Sequence, residues 1–476
     1  MDTPQQALPA DLIARFAAIV GEAHALRAAS DIAPFLVEPR NKFHGATPLV
    51  LRPGSVAEVS AILRLAGATG TPIVPQGGNT GVVGGQVPDA SGREVVVSLS
   101  RLNRIREVDP AGDTMTVEAG VILAEAQRVA DAADRLFPLS LASEGSCEIG
   151  GNLSTNAGGT AVLAYGNARN LVLGLEVVLA DGAVWDGLRK LRKDNTGYDL
   201  RDLFVGAEGT LGIVTAAVLR LFPKPRGRSV AFIGLKDPAA ALKLLAIGRA
   251  QAASSLTSFE LIPRIAIDVV LKYVPGTRDP LAGRHDWYVL MEVSSSRSEA
   301  DAEQAVEAIF GEGVASGIVE DGVQARSLDQ ANAFWRIRHT LSEVQKHEGG
   351  SIKHDIAVPV AAVPAFLAKA NAAVTALIPG ARPFPFGHLG DGNIHYNITQ
   401  PEGADKAAFL ARWGEVNDVV HAIVAEFGGT ISAEHGIGQL KRDMLAAVKS
   451  PVEMEMMRKI KAVFDPTGIL NPGKVL

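Results

Sequence analysis

The sequence predicts an α+β protein with two main domains. Apolar patterns typical of helices alternate with short runs typical of strands along most of the chain. Two glycine-rich segments follow predicted strands in the first half. The segment Pro223–Gly227, with two prolines and a glycine, follows a strong strand pattern and marks a domain boundary. The 476 residues also exceed what one hydrophobic core usually organises.

The first domain is predicted over residues 45–225, after a helical lead-in over residues 1–44 in which residues 8–29 carry an apolar helical pattern. From Ser55 to Gly70, a serine cap, helical periodicity and a closing glycine predict a helix. Residues 71–75 then predict a strand that enters a glycine-rich loop. Further strands are predicted over residues 94–99, 114–118, 173–179 and 213–220. This order indicates an α+β nucleotide-binding domain.

The second domain is predicted over residues 226–440. Its strand patterns lie at residues 230–234 and 287–293, and its helical patterns lie at residues 238–253 and 299–310. The alternation predicts an antiparallel sheet with helices on one of its faces. A final helix is predicted over residues 451–464, within a C-terminal helical segment that spans residues 441–476.

Composition excludes several classes of protein. A net charge of −6 and a pI near 6.0 argue against a nucleic-acid surface. Cys147 is the only cysteine, which excludes an intrachain disulfide and a thiolate metal cluster and favours a reducing, cytoplasmic location. The N-terminal residues lack a signal-peptide pattern, and no run of eighteen apolar residues predicts an integral membrane segment.

Two histidines frame a short turn late in the chain. The turn Leu389–Asn393 contains two glycines, so a hairpin would bring His388 and His395 together. Strand alternation places Asn397 on the same face as His395. With the later pair Glu434 and His435, these residues predict a site for zinc or another divalent ion with open coordination positions. The alternative is that the histidines are turn or core residues with satisfied hydrogen bonds.

The glycine-rich segments predict binding of a large dinucleotide. Pro75–Gly85 and Ser143–Gly159 let backbone N–H groups approach a pyrophosphate closely. Neither the Walker spacing nor a good Rossmann fingerprint is present. The alternative is that both segments are ordinary glycine-rich turns.

Six ordered motifs resemble the FAD-linked oxidase family of the vanillyl-alcohol oxidase type, and within it the D-2-hydroxyglutarate and D-lactate dehydrogenases. The resemblance spans residues 45–476, and the motifs that carry it lie at residues 75–81, 150–159, 206–215, 387–395, 432–438 and 471–473. It implies a two-subdomain FAD-binding domain, a substrate and metal domain, and a C-terminal segment that returns to the flavin.

The resemblance implies a noncovalent FAD, because the first loop lacks the histidine or cysteine that tethers the flavin in some relatives. The residues expected around its phosphates and ring are Pro75, Gln76, Gly77, Gly78, Asn79, Thr80, Gly81, Gly84, Gly85, Ser143, Gly145, Ile149, Gly150, Gly151, Asn152, Thr155, Asn156, Gly158, Gly159, Tyr165, Gly166, Glu208, Gly209, Gly212, Ile213, Val214 and Asn471.

Cations in the second domain predict an anion site. Arg336 and Thr340 lie four residues apart in a helical pattern and hence on one face, and Lys353 follows on a predicted strand. The resemblance assigns the substrate carboxylate to these three residues. Arg338 competes with Arg336 for the role, and the alternative is that these are solvated helix charges.

The resemblance also implies the chemistry. It makes His388, His395 and Glu434 the metal ligands, while Asn397 orients the substrate. His435 is the base that removes the hydroxyl proton of a D-2-hydroxy acid, with FAD as the hydride acceptor. D-2-Hydroxyglutarate is the expected substrate, and the reduced flavin would pass electrons to an electron-transfer flavoprotein or a quinone.

Three other functions stay open at this stage. The first is the same reaction on D-lactate, D-malate or glycolate, because the predicted site recognises only the shared 2-hydroxy-acid head. The second is a transferase of the alkyl-glycerone-phosphate synthase kind, which uses this flavin fold without net redox change. The third is a metal hydrolase, which would leave both glycine loops unexplained. A homodimer is equally open, since amphipathic helices suit a core or an interface.

Overall fold

The computed structural model describes residues 8–476, so the prediction about the first residues of the chain lies outside the described part. The strands are β1 Ala25–Leu26, β2 Val50–Leu51, β3 Ile73–Gln76, β4 Val95–Ser98, β5 Ile105–Asp109, β6 Thr114–Glu118, β7 Arg135–Leu136, β8 Val172–Val178, β9 Val184–Gly187, β10 Ile213–Arg220, β11 Phe222–Pro223, β12 Gly227–Leu235, β13 Leu256–Pro263, β14 Trp287–Ser295, β15 Val319–Gln324, β16 Ser351–Ala357, β17 Arg382–His388 and β18 Asn393–Thr399.

The α-helices are α1 Ala10–Val20, α2 Ala29–Ile32, α3 Val56–Thr69, α4 Leu123–Ala132, α5 Ile149–Ser154, α6 Val162–Tyr165, α7 Arg201–Phe204, α8 Pro238–Ala252, α9 Arg264–Tyr273, α10 Glu299–Ala315, α11 Leu328–Val344, α12 Val363–Leu377, α13 Lys406–Ala411, α14 Trp413–Glu426, α15 Arg442–Val448 and α16 Pro451–Phe464.

The chain divides into two compact units. The first unit contains the chain up to Gly159, then Gly166–Lys224 and Glu434–Leu476. The second unit contains Thr160–Tyr165 and Pro225–Ala433. The change of unit after Lys224 falls within the proline-rich segment that the sequence analysis selected. The second change follows Ala433, seven residues before the predicted one at residue 440.

The first unit is built on two main sheets. One has the strand order β1-β2-β4-β3, in which β2, β4 and β3 are parallel. The other is antiparallel, with the order β5-β6-β10-β8-β9. The C-terminal chain returns beside β3: the N–H of Ile73 donates to the carbonyl of Ile469 at 2.8 Å, and the N–H of Asn471 donates to the carbonyl of Ile73 at 2.8 Å. The end of the sequence therefore lies next to the strand that enters the first glycine loop.

Local signals set the helix that precedes this loop. The side chain of Ser55 accepts a hydrogen bond from the N–H of Glu58, and Gly70 ends α3 in the left-handed conformation with φ +66°. These are the N-cap and C-cap that the sequence predicts. The prediction of one helical segment over residues 8–29 is wrong beyond Val20, because Gly21 ends α1 with φ +80° and a short strand follows at Ala25.

The second unit is built on one antiparallel sheet with the order β15-β12-β14-β13-β17-β18-β16. Alternate residues of β12 enter two different cores: Ala231 and Ile233 join the core under α8, α10, α12 and α14, whereas Val230 and Phe232 join the core under α9 and α11. The prediction that helices cover one face is therefore wrong. Both faces are covered, and each needs its own set of apolar residues.

Helix α12 has an apolar composition that suits two environments. Val360–Leu377, which includes it, is long and apolar enough to cross a membrane by length and composition alone. In the structure Val363, Phe366 and Leu367 are buried in the core of the second unit. One helix of this kind is weak evidence for a membrane span, because core helices pass the same test.

Candidate functional site

The first glycine loop leaves β3 and is held by its own side chains. Asn79 has φ +52°, and its Nδ2 donates to the carbonyls of Pro34 and Val37 at 3.0 and 2.9 Å. Nε2 of Gln86 donates to Oδ1 of Asn79 at 3.0 Å and to the carbonyl of Gly81 at 2.8 Å. The side chains of Asn79 and Gln86 are therefore held by hydrogen bonds to the backbone and to each other. The glycines of the loop leave its backbone accessible.

The second glycine loop lies directly against the first. A Cβ atom on Gly78 would lie 2.0 Å from the carbonyl oxygen of Ser146, so only glycine fits there. On the other side, a Cβ atom on Gly150 would lie 2.7 Å from Cβ of Ala119. The two glycine-rich segments, nearly seventy residues apart, thus form one surface in the first unit.

A third motif joins the first loop to the end of the chain. Glu208 has φ +52°, and its carboxylate accepts hydrogen bonds from the N–H groups of Ile437 at 2.7 Å and Gly438 at 2.8 Å. Nδ2 of Asn471 donates to the carbonyls of Gly85 and Glu208 at 2.9 and 2.8 Å. Burial raises the pKa of Glu208. The hydrogen bonds from the N–H groups of Ile437 and Gly438 lower it, but their effect is smaller. Glu208 therefore fixes the turn that follows Glu434 and His435.

The first unit has a donor set that suits FAD. It offers two adjoining glycine loops with accessible backbone, and polar side-chain atoms that are buried without a hydrogen-bond partner among the described residues. Nδ2 of Asn152 and Oδ1 of Asn471 are two such atoms on residues that the sequence analysis selected. Buried polar groups are normally satisfied, so these atoms point to a bound group. Of the predicted flavin residues, all but Tyr165 belong to this unit; Tyr165 ends α6 in the second unit.

The β17–β18 hairpin brings the two predicted ligand histidines together. His388 is the last residue of β17, and His395 is the third residue of β18. Their ring centroids are 5.6 Å apart and the rings are nearly perpendicular. His395 lies on the face of the sheet that α9 and α11 cover, because its neighbours Ile394 and Tyr396 are buried in the opposite core. The prediction of a hairpin that joins both imidazoles is confirmed.

A buried carboxylate, which the sequence analysis missed, orients His388. Nδ1 of His388 donates to Oε1 of Glu260 at 2.7 Å, and Nε of Arg338 donates to Oε2 of Glu260 at 2.6 Å. The side chain of Glu260 is 1% exposed. Burial alone would raise the pKa of Glu260, but Arg338 and His388 hold it at about 2. The carboxylate of Glu260 therefore accepts from Nδ1 and fixes the orientation of the His388 ring.

Strand β16 supplies a second carboxylate beside His395. Asp355 is the register partner of His395, and one of its carboxylate oxygens lies within 4.8 Å of a ring nitrogen of His395. Nδ2 of Asn393 donates to Oδ1 of Asp355 at 3.0 Å. The signal for Asp355 was present in the sequence, since it lies two residues after Lys353 and hence on the same strand face.

Lys353 and Asn397 form the next pair along these strands. They are register partners on β16 and β18. Nζ of Lys353 donates to the carbonyl of Ser342 at 2.6 Å, and Nδ2 of Asn397 donates to Oε1 of Gln345 at 2.7 Å. Both predicted substrate residues therefore lie on the face that carries His395, one step further along the strands.

Helix α11 separates the two competing arginines. Arg338 is buried and bound to Glu260, whereas Arg336 is exposed and its Nη2 donates to the carbonyl of Pro275 at 3.1 Å. Oγ1 of Thr340 donates to the carbonyl of Arg336 at 3.0 Å, which places the two residues one helical turn apart. Arg338 is therefore ion-paired with Glu260, whereas Arg336 is bound to a backbone carbonyl.

Glu434 and His435 begin the last segment of the first unit. Nε2 of His435 lies 4.0 Å from Oε1 of Glu434. The residue before them, Ala433, belongs to the second unit, where its N–H donates to the carbonyl of Asp355 at 3.3 Å.

The second unit has donors that suit a divalent metal ion. His388 and His395 offer imidazole nitrogens, and Asp355 offers a carboxylate, which is the ligand chemistry of zinc and its neighbours. The hydrogen bond from His388 to Glu260 is the outer contact that metal-bound histidines usually make.

Two families of known proteins match this chain, one in its first half and one in its second half. Residues 47–187 match the FAD binding domain family, and residues 224–475 match the family of FAD linked oxidases, C-terminal domain. The fold of this chain is shared with a crystal structure of p-cresol methylhydroxylase. The two align with a TM-score of 0.77 at 16% identity over 98% of this chain and 96% of that chain. An alkyldihydroxyacetonephosphate synthase structure aligns with a TM-score of 0.75 at 17% identity over 99% of this chain and 87% of that chain.

The chain belongs to the FAD-linked oxidase family, and it is an FAD-dependent enzyme of the dehydrogenase class. Among similar proteins, D-2-hydroxyglutarate dehydrogenase of Stutzerimonas stutzeri is 40% identical over 91% of this chain and 92% of its own length. The mitochondrial D-2-hydroxyglutarate dehydrogenase of Arabidopsis thaliana is 38% identical over 98% of this chain and 81% of its own length. D-2-hydroxyglutarate–pyruvate transhydrogenase of Saccharomyces cerevisiae is 35% identical over 94% of this chain and 90% of its own length.

Proposed function

We propose that this enzyme oxidises D-2-hydroxyglutarate to 2-oxoglutarate with FAD as the hydride acceptor and a divalent metal ion, zinc, as a second cofactor. The observation that carries the proposal is the polar row on one sheet face of the second unit, where His388, His395, Asn397 and Lys353 follow one another on paired strands. The names of relatives that are similar over nearly the whole chain support the choice of substrate.

The metal is assigned to His388, His395 and Glu434. Support for Glu434 comes from chain continuity: Ala433 is bonded to the backbone of Asp355, the register partner of His395, and Glu434 is the next residue. Asp355 is a further donor that we add to this set. A bound divalent ion would lower the pKa of the substrate hydroxyl, and FAD would supply a hydride acceptor at N5.

Substrate capture is assigned to the cations of α11 and β16. Arg336 and Lys353 provide positive charge from two elements, and Thr340 adds a hydroxyl donor one turn after Arg336. Because Arg338 is neutralised by Glu260, the geometry favours Arg336 over Arg338 for the carboxylate. Asn397 would orient the hydroxy-acid head.

Proton removal is assigned to His435. Its neighbour Glu434 is assigned to the metal, which leaves the imidazole of His435 as the general base. With FAD bound, removal of the hydroxyl proton by His435 and loss of the Cα hydrogen with its electron pair would yield the 2-oxo acid, and FAD would supply the two-electron acceptor. The electrons would then pass to an electron-transfer flavoprotein or a quinone. We place the reaction in the cytoplasm because of the single, buried cysteine.

An anaerobic spectrum tests the proposal. The purified protein should show a flavin band at about 450 nm. D-2-Hydroxyglutarate should bleach this band, and a metal chelator should prevent the bleaching. L-2-Hydroxyglutarate is the matched control, and D-lactate, D-malate and glycolate rank the alternative substrates. A bound flavin that no hydroxy acid reduces would remove the proposed reaction and favour a transferase without net redox change.

A further inference from the structure

Glu148, in the second glycine loop, has a buried carboxyl oxygen that faces the first loop. Glu148 is 6% exposed, and its Oε2 is buried with no hydrogen-bond partner among the described residues. A Cβ atom on Gly77 would lie 3.3 Å from this oxygen and 3.7 Å from the backbone nitrogen of Gly151. The carboxyl group of Glu148 therefore lies beside the accessible backbone of both loops.

The backbone on both sides of Glu148 is fixed by hydrogen bonds. The N–H of Ile149 donates to the carbonyl of Val121 at 2.9 Å, and the N–H of Asn152 donates to the carbonyl of Glu148 at 3.0 Å. The side chain does not cap α5, although Glu148 occupies its N-cap position. Asn152, four residues later, also has a buried side-chain donor without a partner among the described residues. Glu148 and Asn152, four residues apart, thus each have a buried polar atom without a hydrogen-bond partner among the described residues, which is unusual for a protein interior.

The charge state of Glu148 follows from its surroundings. Burial raises its pKa to about 8, and the attraction of Arg52, which lowers the pKa, is the smaller effect. Burial also raises the pKa of the neighbouring thiol of Cys147, so both groups are neutral at pH 7. A neutral carboxyl group is a hydrogen-bond donor, whereas a carboxylate accepts only and would repel an anionic cofactor.

We propose that Glu148, as a neutral carboxylic acid, donates a hydrogen bond to an oxygen atom of the FAD that binds along the two glycine loops. The pyrophosphate and the ring carbonyls of FAD are the acceptors that match this donor. The proposal depends only on FAD binding, which follows from the family, and not on the substrate or metal proposed above.

FAD affinity as a function of pH tests the proposal. Dissociation of FAD from the full-length holoenzyme can be measured by recovery of flavin fluorescence on dilution between pH 6.5 and 9.5. Because only the protonated form donates, the apparent Kd should rise above pH 8 and approach about tenfold per pH unit. A wild-type Kd that stays constant from pH 7 to 9.5 would overturn the proposal without any variant.

Two variants separate a hydrogen bond from a structural effect. Glu148→Gln keeps an amide donor at every pH, so its Kd should lose the rise seen in the wild type. Glu148→Ala should bind FAD more weakly than the wild type below pH 8 and should also lose the rise above pH 8. The matched control is Glu94→Gln: Glu94 is also buried with a raised pKa but is paired with Lys474, so this variant should keep the wild-type rise. A Glu148→Gln profile that follows the wild type would contradict the proposal.

ADP-ribose, which contains the pyrophosphate without the flavin ring, assigns the acceptor. If its competition with FAD weakens above pH 8 in the wild type and not in Glu148→Gln, the acceptor is a pyrophosphate oxygen. If its affinity is constant with pH while that of FAD falls, the acceptor lies on the flavin ring. Either result retains the hydrogen bond from Glu148.

Discussion

His388 donates a hydrogen bond of 2.7 Å through Nδ1 to Glu260, a residue 128 positions earlier in the chain. The second oxygen of Glu260 is bound by Arg338 from α11, so a histidine, a carboxylate and a guanidinium form one buried row. This row holds the ring of His388 in one orientation. It connects the hairpin, the central strand β13 and the helix that carries Arg336.

Removal of the charge of Glu260 should weaken metal binding. In Glu260→Gln, the amide oxygen can still accept the hydrogen bond from Nδ1 of His388. His388 should nevertheless be a less basic metal ligand, because its partner is no longer a carboxylate. We expect metal affinity to fall by about 10- to 100-fold, measured by competition of the protein with a chromophoric chelator. Glu348→Gln is the matched control, because Glu348 forms an ion pair with Arg382 in the same unit, whereas the carboxylate on Nδ1 of His388 is that of Glu260. Equal affinities of Glu260→Gln and the wild type would refute the assigned role.

Arg336 and Arg338 should respond differently to replacement by methionine. Arg336→Met removes an exposed cation, so KM for the hydroxy acid should rise at least tenfold while the thermal midpoint changes little. Arg338→Met removes the guanidinium from the buried carboxylate of Glu260 and leaves only His388 bound to it, which should destabilise the second unit by about 3–5 kcal/mol. Steady-state kinetics and thermal unfolding of both variants distinguish these effects. A large rise in KM for Arg338→Met at unchanged stability would contradict this assignment and would make Arg338 the residue that binds the substrate carboxylate.

His435→Asn should lower kcat by about 10²- to 10⁴-fold, because a general base contributes a factor of this size. The flavin spectrum and the affinity for 2-oxoglutarate should stay near the wild-type values, since His435 is assigned neither to the cofactor nor to the carboxylate. The pH profile provides the second measurement: the acidic limb of kcat/KM in the wild type should be absent in the variant. A variant that keeps the limb would assign the base to another residue.

Stability of the second unit should fall in acid through Glu348. Hydrogen bonds from Lys272, which has the larger effect, and from Arg382 hold the pKa of Glu348 at about 2. This is below its unfolded-state value of about 4.3. The stability that Glu348 contributes is therefore complete above pH 4.3 and is lost as the pH falls toward 2. Chemical unfolding at pH 6 and pH 3 should show a smaller loss in Glu348→Gln than in the wild type. An identical loss in both proteins would contradict this assignment.

The sequence determined the local structure around both sites. Ser55 and Gly70 set the ends of α3, because a cap depends on residues within one turn. The glycines between His388 and His395 set the hairpin, and strand periodicity then placed Asn397 and Lys353. The glycine loops and the ordered motifs were likewise visible as short patterns, and they were sufficient to indicate the FAD-linked oxidase family.

Tertiary structure decided which distant side chains meet. The contacts of Glu260 with His388 and Arg338 join strands and a helix that are 128 and 78 residues away in sequence, and no short pattern encodes them. The choice between Arg336 and Arg338 depended on which face of α11 packs on the sheet. The carboxyl oxygen of Glu148 that has no hydrogen-bond partner among the described residues likewise results from packing, because it is buried against the first glycine loop. Sequence periodicity fixes the relative direction of neighbouring side chains, but only packing fixes what lies opposite them.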